Sequence, residues 1–442
     1  MKKLQYFLVV FSTLIYSLYR LKNTLSVEPF YDYFDSPQYF KLSIYPSFRL
    51  QGITFFFSLL KENDNIVIFQ TLLGITSWVT MSSIFVTLIS NKKLKIIFYL
   101  IFLYLGTTSV IIEHDSAILS ESISISALTL LSATFTKFYF TNKDSFAIFT
   151  LLSIVFFSST KSNNFLIAIL IFALLSIIFL KRRSLKLRSF KFLIYILSAL
   201  LIIFFTAVSL SSDITKTLTT SGTINNRIFL NDNWKNQTLQ SGYPLSAYEN
   251  WKYYSSGNFG SPADQAVVDR PDFKSWWRSG GENFLVNFTL KNPDYALISP
   301  FLPTHYLKEQ SYKKSVLNGW SQGTDLIYNF EGFKNSIAIQ TIFFPDQAEY
   351  SYLVLAIILL GIAVSILILW LYCHDNFSAI YISMYSMIVM LWGLVNWWFG
   401  SKPADMARHQ LLAAISFRIL IIISLVLVSK KIFDVIRQND KA

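Results

Sequence analysis

Charged residues are scarce in this chain of 442 residues, since Asp, Glu, Lys and Arg make up 14% of it and hydrophobic residues 53%. A soluble globular protein has about a quarter of its residues charged. Much of the surface must therefore contact an apolar medium. The composition predicts an integral membrane protein that lies in a lipid bilayer.

Cysteine and histidine are also rare, with Cys373 as the single cysteine and four histidines. One cysteine excludes an intrachain disulfide, and no Cys/His spacing typical of a zinc site occurs. A P-loop and a Gly-rich dinucleotide fingerprint are both missing. The net charge of +12 would suit nucleic acid, but the basic residues fall between apolar runs. We therefore expect no nucleic-acid partner.

Long apolar runs dominate the sequence, and a membrane-spanning helix needs roughly 20 such residues. Candidate spans lie over 4–20, 66–90, 96–112, 117–136, 146–160, 165–180, 192–210, 350–373, 378–399 and 411–429. These runs predict an all-α polytopic membrane protein of about ten transmembrane helices. A shorter apolar patch over 52–60 predicts an interfacial or re-entrant helix.

Lysine and arginine are unevenly distributed between the spans. With the N-terminus inside, the basic cluster over 181–191 and most other basic connections share one side. Cytoplasmic loops carry such an excess. We therefore expect a multi-pass protein of the plasma (inner) membrane with both termini in the cytoplasm. Most carboxylates then lie on the outer side, and Arg20 falls in a short outer segment.

One hydrophilic segment, over 211–349, interrupts the apolar pattern between the seventh and eighth spans. It holds five of the ten tryptophans: Trp234, Trp251, Trp276, Trp277 and Trp320. A disordered segment would be poor in aromatic residues. The sequence predicts three parts: a transmembrane module over 1–210, a large extracytoplasmic domain over 211–349 with a small aromatic core, and C-terminal helices over 350–442.

Two outer loops carry carboxylates that could perform chemistry. In the first loop, Asp35 could deprotonate an acceptor hydroxyl, and Arg49 could hold a phosphate oxygen. In the second, Glu113 and Asp115 could bind Mg²⁺ or Mn²⁺, or Asp115 could cap the following helix. Glu121 lies inside a span, where an ionisable residue is costly unless it is used or paired.

Two later outer loops carry cations. Lys161 could contact a phosphate, or it could extend its ammonium towards water. Asp405 and Arg408 are three residues apart at the start of the tenth helix, and His409 follows. A helix N-terminus with such residues suits a phosphate, although an Asp405–Arg408 ion pair is equally compatible with the sequence.

The order of these motifs resembles that of the GT-C superfamily of membrane glycosyltransferases. It is similar in particular to the bacterial members related to protein O-mannosyltransferases and to lipid A aminoarabinose transferase. The resemblance rests on Asp35-Ser-x-x-Tyr39 after the first helix, Arg49-x-x-Gly52 with Gln51 at the usual proline, Ser120-Glu121-Ser122, and Asp405-x-x-Arg408-His409. The segment 211–349 carries none of the resemblance.

The resemblance implies transfer of a sugar from a polyprenyl-phosphate donor to a glycan, lipid or protein acceptor on the outer face. It implies Asp35 as the base, with Glu113, Asp115 and Glu121 in further acidic motifs. It implies Arg49, Tyr39, Lys161, Asp405, Arg408 and His409 as substrate-binding residues. Some relatives need a divalent cation, Mg²⁺ or Mn²⁺, for which Glu113 and Asp115 are the candidates.

Two other interpretations remain open at this point. An O-antigen-type polymerase or ligase, which acts on lipid-diphosphate glycans, would use arginines in its large outer loop, here Arg227, Arg270 and Arg278. A non-enzymatic transporter or assembly protein would need the acidic loops only as solvated helix caps.

Overall fold

The computed structural model describes residues 2–26, 29, 51–141, 143–161, 164, 167–174, 213–256, 266–298, 359–399 and 403–439. Regular structure within these ranges is helical, and they contain no β-strand. The chain divides into two compact units. The first unit comprises the described residues of Met1–Ser209, Gly323–Met390 and Leu412–Ala442, and the second comprises those of Leu210–Gln322 and Leu391–Leu411.

The first unit is built from apolar helices. In chain order these are α1 (Lys2–Leu25), α2 (Gln51–Leu60), α3 (Asn63–Val86), α4 (Lys92–Leu105), α5 (Ser109–Ser116), α6 (Ser120–Thr141) and α7 (Asp144–Ser158). A further apolar helix over Leu359–Tyr372 ends in a π-helical turn, Ile368–Tyr372. The helix α2 covers the apolar patch over 52–60, and its interfacial placement stays a prediction.

Three helices of the described part are long and apolar enough to cross a membrane: Leu4–Leu25, Asn63–Val86 and Ser120–Thr141. Shorter apolar helices lie at Ser145–Ser158, Leu359–Tyr372 and Asn376–Trp392. Membrane association and a helical fold follow from these segments. The count of about ten spans includes residues 175–212 and 350–358, which lie outside the described ranges, and it stays a prediction.

The expected single span over 96–112 is wrong, because the chain turns in its middle. The helix α4 ends at Leu105, and α5 begins at Ser109. The hydroxyls of Thr107 and Thr108 donate to the carbonyls of Tyr104 and Leu105 at 2.6 and 2.9 Å, which closes the helix end. Consequently the stretch 113–116, which was expected to be a loop, forms the last turn of α5.

A buried helix, α6, lies at the centre of the first unit, packed between α3 and α7. Its sequence is rich in Ser and Thr, and these side chains are buried from Ser120 to Thr136. Two of them bond to tyrosines of α13 (Asn376–Phe399): Ser132 to Tyr385 at 2.9 Å and Thr136 to Tyr381 at 2.5 Å. These bonds join hydroxyls of two helices in an apolar surrounding.

The C-terminal end of α6 lies at a basic end of the first unit. Lys137 hydrogen-bonds Thr87, which follows α3. Tyr139 donates to the Phe377 carbonyl at 3.0 Å. Asp375 pairs with Lys431 of α14 (Pro403–Asn439) at 3.1 Å. Glu121 and Ser122 lie at the opposite end of α6.

The second unit has its own aromatic core. Its helices are α8 (Asp213–Asn226), α9 (Asp232–Gln240), α10 (Leu245–Ser256), α11 (Pro271–Arg278) and α12 (Phe284–Lys291), followed by a π-helical turn, Asp294–Ile298. Trp234 and Trp276 are buried in this core, as expected from their sequence context. Trp234 donates its indole N–H to Asp294 at 2.9 Å. The boundaries 211 and 349 fall outside the described ranges and stay predictions.

Candidate functional site

A buried ion pair joins α1 to α5. Arg20 donates from Nε to Oδ2 of Asp115 at 2.7 Å and from Nη2 to Oδ1 at 3.1 Å. The two side chains are 0% and 1% exposed. Two parallel N–H donors on one carboxylate form the strongest ion-pair geometry available to arginine. The pair therefore fixes α1 against α5 in an apolar surrounding.

The Nη1 group of Arg20 is also engaged. It donates to the Tyr16 hydroxyl at 2.7 Å and lies 3.4 Å from the Gly106 carbonyl oxygen. The guanidinium lies over Gly74 of α3, where a Cβ atom would meet Nη2 at 2.1 Å. Only a glycine leaves enough room for the arginine at this position. Arg20, which was expected in the short outer segment after the first span, lies within α1, because this helix continues to Leu25, and the residue is buried.

A second buried ion pair joins the start of α6 to Lys161, which follows the end of α7. Lys161 Nζ lies 2.5 Å from Oε1 of Glu121. The Glu121 side chain is 1% exposed and that of Lys161 is 14% exposed. Ser120 also donates to Oε2 of Glu121, at 3.4 Å. A carboxylate buried this deeply is tolerated because a cation and a hydroxyl partner it.

The two ion pairs are neighbours. Ser122, the residue after Glu121, donates to Oδ1 of Asp115 at 2.6 Å. Gln70 of α3 donates to the Leu119 carbonyl at 3.0 Å and so braces the connection between α5 and α6. Four charged residues from four separate parts of the chain thus converge at one end of the first unit. This end lies opposite the end that carries Lys137 and Lys431.

The predicted site residues divide into three groups. Asp115, Glu121 and Lys161 belong to the cluster just described. Glu113 lies in α5, and Asp405, Arg408 and His409 lie in the first turns of α14, but their side chains lie outside the described part. Asp35, Tyr39 and Arg49 lie outside the described residues altogether.

Asp115 does not fit the role of a metal ligand. Both of its oxygens accept hydrogen bonds from Arg20, and Oδ1 also accepts one from Ser122. A divalent cation at this carboxylate would lie beside the guanidinium, and the repulsion would be strong at low dielectric. Among the described side chains, no group of three or more His, Cys, Asp and Glu lies close enough to hold a metal.

Sequence reasoning missed Arg20 and Gly74 as members of this cluster. Arg20 could have been found because a single arginine stands in the last turns of an otherwise apolar helix, and such a residue needs a partner. Gly74 gives no such signal, because glycine is common in membrane helices for many reasons.

Two of the three arginines considered for a polymerase or ligase, Arg227 and Arg270, have partners within the second unit. Arg227 is fully buried and hydrogen-bonds Tyr295. Arg270 pairs with Asp272 at 2.9 Å next to the first turn of α11. Arg278 lies at the end of α11 and is exposed. The contacts of Arg227 and Arg270 therefore support the local fold of the second unit.

Comparison of the chain with protein-family models, with curated proteins and with solved structures returned no match.

Proposed function

We propose that this protein is a membrane glycosyltransferase that transfers a sugar from a polyprenyl-phosphate donor to an acceptor outside the cytoplasm. The observation that carries the proposal is the convergence of Arg20, Asp115, Glu121 and Lys161 at one end of an apolar helical unit. Placing four charges between such helices costs free energy, and membrane proteins retain charges of this kind mainly where they serve function.

The roles within the site follow from what each side chain contacts. Asp115 is held by Arg20 and Ser122, so it shapes the site. Glu121 is held by Lys161. We assign the base to Asp35 and the phosphate contact to Arg49, because the resemblance to the GT-C superfamily implies these roles; both residues belong to the segment between α1 and α2, outside the described residues.

The reaction requires one proton acceptor and one cationic pocket. The bond between the sugar C1 atom and the phosphate oxygen breaks, and a bond between C1 and the acceptor oxygen forms. The acceptor proton moves to Asp35, and the polyprenyl phosphate leaves with the electron pair. Cations near the departing phosphate stabilise the charge that develops on it.

The direction in which each helix would cross the membrane supports an outer location for the site. If the N-terminus is cytoplasmic, then the end of α1, the start of α6 and the end of α7 all lie on the outer side. The basic residues Lys137 and Lys431 then lie on the inner side, as expected for cytoplasmic connections. The proposal includes the expected topology, with both termini in the cytoplasm and the segment 211–349 on the outer side.

The experiment compares cell-envelope glycans, by mass spectrometry, from cells that carry the native protein, Asp35→Asn or Asp32→Asn. We expect a glycan species that disappears with Asp35→Asn and persists with Asp32→Asn, a matched change three residues away. Equal amounts of the variants in the membrane control for insertion. A species unchanged by Asp35→Asn would refute the assignment of the base.

A further inference from the structure

The two ion pairs of the site differ in how far they are sealed from the surroundings. Both members of the Arg20–Asp115 pair are at most 1% exposed. In the other pair Glu121 is 1% exposed, whereas Lys161 is 14% exposed. The ammonium of Lys161 therefore lies between a buried carboxylate and the accessible surface at this end of the unit.

The side-chain chemistry of Arg20 and Lys161 also makes Lys161 the better candidate for binding a phosphate. Arg20 has a planar group that already binds a carboxylate with two donors. Lys161 is a compact charge with three rotatable donors, which suits the oxygens of a phosphate. A buried ion pair is in itself weak evidence for a stabilising role. The one-sided exposure of Lys161 instead indicates a pair that can take up a second anion.

We propose that Glu121 is a built-in counter-ion that weakens the binding of the carrier phosphate to Lys161, and so allows the spent carrier to leave. The inference rests on the proposed function and gives Glu121 a tuning role in place of the catalytic role expected from sequence. A phosphate that contacts Lys161 Nζ must lie near Glu121, because both anions share one ammonium. The phosphate and the Glu121 carboxylate repel each other, and this repulsion is strong at low dielectric. We expect it to outweigh the gain in phosphate binding that Glu121 provides by holding the flexible Lys161 side chain in place.

The proposal predicts the sign of a binding change. The full-length protein in detergent micelles is titrated with a long-chain polyprenyl monophosphate, and the Kd is measured. Glu121→Gln should lower the Kd about tenfold, which corresponds to about 1.4 kcal/mol. Lys161→Met should raise the Kd about tenfold. The double variant should bind as weakly as Lys161→Met, because the proposed effect of Glu121 on the phosphate requires the ammonium of Lys161.

A purely structural ion pair predicts a different pattern. Each single change would then weaken binding through a buried unpaired group, and the double variant would regain the native Kd. That pattern overturns the inference, as does an unchanged Kd in Glu121→Gln. Lys161→Gln, which also removes the charge but keeps a polar group, replaces Lys161→Met if the latter does not fold. Lys143→Met changes an exposed lysine at the opposite end of α6 and should leave the Kd unchanged.

Two further measurements complete the test: steady-state kinetics with a sugar-loaded carrier and competition by inorganic phosphate. With a sugar-loaded carrier, Glu121→Gln should lower KM and also lower kcat, since product release becomes slower. Inorganic phosphate should displace the lipid only weakly; displacement at equal concentration would overturn the assignment to a lipid carrier. If the native protein binds no polyprenyl monophosphate at all, the proposed function fails as well. If it binds but Glu121→Gln binds equally well, only the present inference fails.

Discussion

Arg20 and Asp115 are 95 residues apart in the sequence, yet they form a two-donor ion pair that is sealed from solvent. Their contact joins the first helix to the short helix that precedes the central one. The pair lies beside Glu121 and Lys161, so any change that releases Arg20 should also disturb the proposed phosphate site.

Breaking this pair from one side should destabilise the first unit strongly. Asp115→Asn leaves a buried guanidinium without its counter-ion, and losses of about 3–5 kcal/mol are typical of such changes. We expect unfolding at a lower mole fraction of sodium dodecyl sulfate in mixed micelles, followed by circular dichroism. Arg20→Met should behave similarly.

Two further variants separate charge from packing at this pair. The double variant Arg20→Met/Asp115→Leu leaves no buried charge, so it should be more stable than Asp115→Asn. Lys22→Met changes an exposed cation two residues from Arg20 and should have little effect. An Asp115→Asn variant that unfolds together with the native protein would contradict the assigned role.

Gly74 should not tolerate even one added methyl group. In Gly74→Ala the new Cβ would lie 2.1 Å from Nη2 and 2.6 Å from Cζ of Arg20. The guanidinium must move away, and we expect a loss of about 1–3 kcal/mol. Gly361→Ala is the matched control, because a Cβ there meets nothing within 4 Å. It should be neutral or stabilising by up to about 1 kcal/mol in a helix, and a similar effect at both glycines would refute the close approach.

Hydropathy identified most helices of the first unit but missed the contacts that organise the site. The helices α1, α3, α6 and α7 lie where apolar runs predicted them, since burial in an apolar medium determines local composition. The close approach of other helices at Gly106 was missed because it depends on tertiary packing. A Cβ at Gly106 would meet the Tyr16 hydroxyl at 2.7 Å and Trp78 at 2.8 Å. Asp115 and Glu121 were identified as candidates, but their partners Arg20 and Lys161 could be assigned only from the three-dimensional packing.

The second unit should lose stability as the solution becomes acidic. A hydrogen bond from Arg270 lowers the pKa of Asp272 far below its usual value, against the opposing effect of burial, and bonds from Ser246 and the Phe273 N–H add to it. A depressed pKa in the folded state stabilises the fold above the unfolded pKa of about 3.9. This contribution is lost progressively as the pH falls below about 4.

The test follows tryptophan fluorescence of the full-length protein in micelles between about pH 6 and pH 2. Trp276 and Trp277 are on the same helix, α11, as Asp272. Asp272→Asn should be less stable near neutral pH, and the change caused by acid should be smaller than in the native protein. An identical acid response in the two proteins would show that Asp272 does not contribute.

Each hydrogen bond between a hydroxyl of α6 and a tyrosine of α13 should contribute its own coupling free energy. Thr136 bonds Tyr381 and Ser132 bonds Tyr385, so each threonine or serine should couple energetically to its own tyrosine. A double-mutant cycle with Thr136→Val and Tyr381→Phe should give a coupling of about 0.6 kcal/mol, as is usual between membrane helices. The crossed cycle, Thr136→Val with Tyr385→Phe, uses the same kinds of substitution without a shared bond and should give a coupling near zero. The free energy of unfolding of each variant is measured by titration with sodium dodecyl sulfate. If the crossed cycle gives the same coupling as the matched one, the register between the two helices differs from the one described, and the buried Ser and Thr side chains of α6 must have other partners.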